Sequence, residues 1–298
     1  MSDLLSHSET LRRLRTEARR HADFIHLPLR NKVWQGGAGE FMGRGAGSSL
    51  DFQDHRAYAP GDDPRHINWQ AYARTGQYSM KLFREEVRPV VDVVLDASAS
   101  MFFDDTKAQR TVKLFYFCVD SALRAGASLR VFLLNGGEHR LLASEECYSD
   151  AWPQRIPEVK LTAPPAEPPA LAAIPLRPQA LRIFLSDLLY PGAPETIVHP
   201  LASRQGRGVI FAPHCNAEAQ ADWDGNYDFF EPESGTRHLR RVEPALLQRY
   251  RAAYRRHFQV WKEGCQRHGV ALARVAAEPD LQRALQGEAL AVGAVEMR

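Results

Sequence analysis

The stretch Val-Val-Asp-Val-Val-Leu-Asp at residues 90–96, followed at once by Ala-Ser-Ala-Ser, constrains the fold more than any other part of the chain. An apolar run of that length, bounded by Pro89 and small polar residues, reads as a strand buried on both faces. Such strands belong to parallel sheets covered by helices. From here on, strand runs and helical patterns alternate. A helix is expected over residues 106–125 and a strand over 129–134, which Asn135-Gly136-Gly137 turns into an antiparallel strand at a sheet edge. A strand at 181–187, a helix near 195–203 and a strand at 208–213 follow. A hairpin excursion is expected near 222–241, then a helix from Pro244 whose apolar stripe is Leu247, Tyr250, Tyr254, Phe258, Trp261 and Cys265. A last strand and helix complete residues 89–298, which therefore read as an α/β domain with a doubly wound, mostly parallel sheet. Eight prolines between residues 152 and 178 exclude a long helix there and mark a surface excursion.

Residues 1–88 are of another kind. Leu4, Leu11, Leu14, Ala18 and Ala22 recur at helical spacing, so residues 1–30 read as an amphipathic helix ending near Pro28. The Gly-rich stretch at 35–52 must be loop, and it lacks both the Lys-Ser or Lys-Thr pair and the preceding strand of a phosphate-binding loop. Beyond it Pro60-Gly61-Asp62 makes a turn, and Ile67 and Trp69 supply apolar anchors. Arg56, Arg65 and Arg74 surround Asp62 and Asp63, a pattern expected to form internal ion pairs that fasten this extension in place.

Several classes of protein are set aside by composition. No stretch approaches the roughly 20 apolar residues that span a bilayer, and the N-terminus lacks the apolar segment of a signal peptide, so a cytoplasmic protein is expected. Cys118, Cys147, Cys215 and Cys265 form no Cys-x-x-Cys pair and read as reduced thiols. A net charge of +2 gives no reason to expect nucleic acid as the partner of the whole chain. Seven arginines and a single acidic residue, Glu243, lie between Arg237 and Arg256. They leave a nucleic-acid binder as a minor alternative to a solvated basic face.

The chemistry gathers where strands end. In open α/β sheets the ligand crevice lies beyond the carboxyl ends of the strands, so Asp96, Ser98 and Ser100 would sit in it, and Asp187, after the apolar run of the 181–187 strand, would approach from a neighbouring strand. Two carboxylates and two hydroxyls are oxygen donors that suit Mg²⁺ or another divalent cation. The plain alternative is that Asp96 and Ser98 cap the next helix. A phosphohydrolase with Asp96 as nucleophile is the competing enzyme class, although Ser98 stands where such enzymes want a second Asp as general acid. No Gly-x-Ser-x-Gly elbow is present, and no catalytic residue is expected.

Asp96-x-Ser98-x-Ser100 after a buried strand resembles the metal-ion-dependent adhesion site of von Willebrand factor A domains. The block from Arg56 to Gly76, containing Arg-Ala-Tyr-Ala-Pro-Gly-Asp-Asp-Pro-Arg-His-Ile-Asn-Trp, resembles the signature of the bacterial family called domain of unknown function fifty-eight, as does Glu-Pro-Glu-Ser-Gly at 231–235. The resemblance implies a von Willebrand A-like fold with an N-terminal helix and a β-rich extension over residues 1–88. It further implies a metal held by Asp96, Ser98, Ser100, Asp187 and a threonine, for which Thr162 in the Pro-rich segment is the candidate. The implied role is that of adaptor between a MoxR-type AAA+ ATPase and a protein client, without catalysis.

Overall fold

The computed structural model describes residues 5, 7–29, 50–85, 88–159 and 168–297. Two compact units are present, one of residues 1–30 with 89–298, the other of residues 31–88. Helix α1 (Ser8–His21) and the two-residue strand β1 (Ile25–His26) belong to the larger unit. The smaller consists of β2 (Leu50–Ala57), α2 (Trp69–Thr75) and β3 (Ser79–Glu85). Residues 30–49, which hold most of the Gly-rich stretch, lie outside the described residues.

In the smaller unit β2 and β3 pair antiparallel, with an irregularity at Phe52/Asp54. The Asn68 side chain caps α2 by accepting from the Ala71 amide, and Gly76 closes the helix at φ 67°, a conformation glycine adopts without steric cost. Arg56 grips the Asp62 carboxylate with both terminal nitrogens, at 2.8 and 2.5 Å. The rest of the expected arginine network differs. Asp63 accepts from the Arg65 amide, while the Arg65 and Arg74 guanidiniums form no ion pair among the described residues. Ile67 is buried, but Trp69 is 58% exposed and packs edge-on against Tyr72 and Tyr78.

The larger unit continues with β4 (Val90–Asp96), α3 (Asp105–Arg124), β5 (Ser128–Asn135), β6 (Glu138–Leu141), α4 (Ser144–Tyr148), β7 (Leu181–Leu185), α5 (Glu195–Ala202), β8 (Arg207–His214) and α6 (Asn216–Ala219). It ends with β9 (Gly225–Phe230), β10 (Arg237–Val242), α7 (Pro244–Arg267), β11 (Ala271–Ala276), α8 (Leu281–Ala284) and β12 (Glu296–Met297). Six strands form one sheet in the order β11-β8-β7-β4-β5-β6, all parallel except β6 at the edge. The chain leaves β4 toward β5 and β6, then returns to the other side of β4 for β7, β8 and β11. That reversal makes the carboxyl ends of β4 and β7 the topological switch point, where an α/β sheet opens a crevice.

Alternation along β4 assigns its residues to two layers. Val91, Val93 and Leu95 face a core built with α3, and Val94 faces a second core with α5 and α7. Helix α3 is buried nearly all round, with Leu114, Phe115, Phe117 and Cys118 fully enclosed, so a further layer must cover it. Helix α1 supplies that layer through Leu11, Leu14 and Ala18, held by Lys113–Glu17 and Arg19–Asp120 ion pairs. The N-terminal helix therefore belongs with the sheet domain and not with the extension. It is also shorter than the 1–30 helix expected, since residues 25–26 pair instead with β12.

Asp92, fully buried in the middle of β4, is satisfied by Arg177, whose backbone amide and Nε each donate at 2.7 Å. Removing one partner of a buried pair leaves a desolvated charge behind. Arg177→Met is expected to cost about 3–5 kcal/mol of stability by denaturant unfolding. A loss within about 0.5 kcal/mol, as at ordinary surface sites, would mean that this pair is not what neutralises the strand.

Candidate metal centre

The register of the sheet builds the site. Leu95 lies beside Leu185, so Asp96 falls level with the start of the loop that follows β7. Ser186 there donates to Asp96 Oδ2 at 2.7 Å, and the Ser98 amide donates to Oδ1 at 3.0 Å. Asp187 was expected at the end of the strand, but β7 stops at Leu185 and Asp187 lies in the loop. The cause is local. Leu188 is fully buried with φ 59°, a left-handed conformation rare for a branched side chain, and it ends the extended run. This turn is fixed by hydrogen bonds from the Leu188 amide to Ser186 Oγ (3.1 Å), from the Leu189 amide to Asp187 Oδ1 (3.1 Å) and from His257 Nε2 to the Leu188 carbonyl (2.7 Å).

Asp96, Ser98, Ser100 and Asp187 thus line one cleft of about 910 Å³. Thr162 lies outside the described residues. The hydroxyls of Ser98 and Ser100 are 3.3 Å apart. Cis ligands of one Mg²⁺ at about 2.1 Å stand about 3 Å from each other, so the spacing fits neighbouring positions on one ion. Among the described residues no group of three or more His, Cys, Asp or Glu side chains is placed to hold a metal. The donors here are two carboxylates and two hydroxyls, a set suited to a hard cation that keeps some of its waters.

The two carboxylates are in opposite electrostatic situations. Burial, and next the charge of Asp187, push the Asp96 carboxyl up to about 6 against the hydrogen bonds from Ser186 and Ser98, and among the described residues no cation forms an ion pair with it. Asp187 has a partner that the sequence did not announce. Lys107, one turn into α3 and 1% exposed, donates to Asp187 Oδ2 and to Glu218 Oε1, both at 2.7 Å. Burial pulls the Lys107 ammonium down, yet the charges of Asp187 and Glu218 hold it above its ordinary value. Tyr190 also lines the cleft. Its hydroxyl is buried beside Ser186 but off hydrogen-bonding geometry, and so lacks a partner. Burial, Asp96 and Asp187 raise this phenol well above its usual value. A buried carboxylate without an ion-pair partner and a buried hydroxyl without a hydrogen-bond partner are groups that a bound cation and its waters would satisfy.

Across the mouth stands Glu233, from the turn between β9 and β10. It accepts from the Ala99 amide at 3.2 Å and the Ser100 amide at 2.8 Å. Lys107, Glu218, Tyr190 and Glu233 escaped sequence reasoning as site residues. Only Glu233 had a signal, since it lies in the Glu-Pro-Glu-Ser-Gly segment, and no local spacing connects that segment to Asp96.

Fold and site together define an α/β protein with a doubly wound, mostly parallel sheet and a carboxylate–hydroxyl crevice at its switch point. The chain belongs to the family described as "Protein of unknown function DUF58", whose family model matches residues 54–260. Among solved structures it is similar to an aerotolerance-related membrane protein from Bacteroides fragilis NCTC 9343 carrying multiple mutations to serine. Identity is 14%, with 68% of this chain and 98% of that one covered and a TM-score of 0.37. It is also similar to the conserved hypothetical protein BatB from Bacteroides thetaiotaomicron, at 14% identity, the same coverages and a TM-score of 0.34. No curated relative matches the chain. Among the described residues no helix is long and apolar enough to cross a membrane.

The Asp96 carboxyl yields a pH prediction for the metal-free protein. A carboxyl raised in the fold holds its proton more tightly folded than unfolded, so its contribution is fully present below the unfolded value of 3.8 and is lost as pH rises through about 6. Asp96→Asn is therefore expected to match wild type at about pH 4 and to exceed it by about 2–3 kcal/mol at about pH 8, measured by urea unfolding in EDTA. An equal difference at both pH values would contradict the electrostatic account.

Proposed function

We propose that this chain is a von Willebrand A-like protein-binding module that depends on a divalent cation, and that it serves as partner or adaptor of a MoxR-type AAA+ ATPase in assembling or remodelling a protein complex. The observation that carries the proposal is Asp96, fully buried, facing Asp187 and lacking a counter-cation at a cleft that also presents two serine hydroxyls. Asp96, Ser98, Ser100 and Asp187 would hold Mg²⁺ or another divalent cation, directly or through water. Such an ion supplies a coordination position that accepts a carboxylate from another protein. The chain's residues set the terms of that capture. Asp96 provides the charge, the serines provide neutral donors that leave the cation electrophilic, and Lys107 draws off part of the Asp187 charge.

Over hydrolysis by a serine nucleophile, a binding role is favoured by the surroundings of the hydroxyls. Ser98 and Ser100 contact each other, and no histidine lines the cleft among the described residues, whereas an activated serine needs an adjacent base. The ATPase partnership rests on the resemblance noted above, since the family's own description carries no function. A cytoplasmic setting accompanies it.

The test is calorimetric titration of the full chain with Mg²⁺ and Mn²⁺, beside a folded Asp96→Ala/Ser98→Ala variant. Binding is expected in the native chain, with a loss of about tenfold or more in the variant. Failure of the native chain to bind either ion would remove the metal-dependent mechanism. Capture of a MoxR-type ATPase by the tagged chain is expected to be abolished by EDTA; capture that survives EDTA would separate the partnership from the metal. Release of phosphate from an aryl phosphate that disappears in Asp96→Ala would instead identify a phosphohydrolase.

A further inference from the structure

The β9–β10 hairpin reaches back over the crevice, and its construction differs from that of the domain beneath. Of its twelve strand residues only Val242 is buried. Its tip is a tight turn in which the Gly235 amide donates to the Glu231 carbonyl at 2.9 Å, with Gly235 at φ 70°. Ser234 Oγ bonds Glu231 Oε2 (2.5 Å) and Thr236 Oγ1 (2.7 Å). This network fixes the turn while leaving the Glu233 carboxylate to point away from it. That carboxylate lies on the Ala99 and Ser100 amides, between the two serines of the site. The other attachment at this end is Phe230, stacked on Phe103 at 5.4 Å, both rings partly exposed. At the far end Trp223 packs on Phe229 and Tyr250.

Glu233 places a further carboxylate on the backbone amides of the loop that carries Ser98 and Ser100, and no hydrogen bond of the sheet involves it. The segment that brings it is an exposed two-stranded ribbon, which is marginally stable by itself and opens at low cost. Glu233 therefore has the chemistry of the ligand the site would take from a partner, delivered from the same chain.

We infer that Glu233 is an internal occupant of the carboxylate-binding position, and that the β9–β10 hairpin is a cover which an acidic side chain of a partner protein must displace. The inference rests on the proposed metal-dependent capture. Glu233 with its two amide bonds defines the seat, Phe230 on Phe103 holds the cover shut, and an incoming Asp or Glu competes for the same amides. A partner offering an acidic residue flanked by an apolar one would replace both contacts at once.

The experiment uses the full chain with Mn²⁺ and with acetate as the carboxylate probe, comparing wild type, Glu233→Ala, and Phe230→Ala, which loosens the cover but keeps the carboxylate. Acetate binding is read from the loss of water-proton relaxation by protein-bound Mn²⁺. Acetate is expected to act at about tenfold lower concentration on both variants than on wild type, the scale of one charge-assisted hydrogen bond. Equal acetate response in all three proteins overturns the inference. So does loss of Mn²⁺ from Glu233→Ala alone, which would make Glu233 a metal ligand. If no variant binds Mn²⁺, the metal reading has failed, and the seat is judged by amide exchange. The Ala99 and Ser100 amides are then expected to exchange about tenfold or more faster in Glu233→Ala than in wild type. Unchanged exchange overturns the seat itself.

Discussion

Removing a carboxylate from water without a counter-charge costs several kcal/mol, and a fold tolerates it only where something else returns the energy. Asp96 is held in that condition by the sheet. Its strand is central, its side chain faces the interior of the crevice, and the two groups that reach it, Ser186 Oγ and the Ser98 amide, bring hydrogen bonds but no charge. The neighbouring parts of the structure can be understood from this point. Leu188 accepts a strained backbone so that Asp187 turns into the crevice, and Lys107 is buried to compensate Asp187 and Glu218. At Asp92 the domain supplies a counter-charge from within the chain, Arg177. At Asp96 it does not, and a buried carboxylate left without an ion pair is a candidate functional position.

The division of labour between the carboxylates has a consequence for binding. With Asp187 shared with an ammonium, the first carboxylate available to a cation is Asp96, and the serine hydroxyls add no charge. A cation held in the proposed way would stay electron-poor and would bind a further carboxylate well, a property that suits reversible association between proteins better than permanent metal storage. On the same reading Glu233, held on the Ala99 and Ser100 amides, would be the first carboxylate such a cation meets.

Much of the sheet domain was legible because buried strands and amphipathic helices carry strong periodic signals. The runs at 90–96, 181–187 and 208–213 announced strands that the structure places at 90–96, 181–185 and 207–214, and the Asn135-Gly136-Gly137 turn and a hairpin near 222–241, observed at 225–242, were visible from turn chemistry. Asp96, Ser98 and Ser100 were legible because a short motif places all three in one loop. The rest depended on tertiary proximity. Lys107 reads as an ordinary helix lysine until α3 docks its first turn beside the 186–190 loop, and Glu233 reads as a turn residue until its hairpin folds back. The place of α1 in the larger unit was equally hidden, since an amphipathic stripe says that a face is buried and not against what. The arginines between residues 237 and 256 divide between β10 and α7, three on the strand and four on the helix, so proximity in sequence overstated their unity.

The most direct test of the central claim is a crystal of the full chain grown with Mn²⁺ and examined at a wavelength where manganese scatters anomalously. The account predicts an anomalous peak at the carboxyl ends of β4 and β7, within about 2.2 Å of the Ser98 and Ser100 hydroxyls and bonded to an Asp96 carboxylate oxygen directly or through one water. A peak elsewhere, or none at this crevice while Asp96 and the serines keep the positions described, would contradict it.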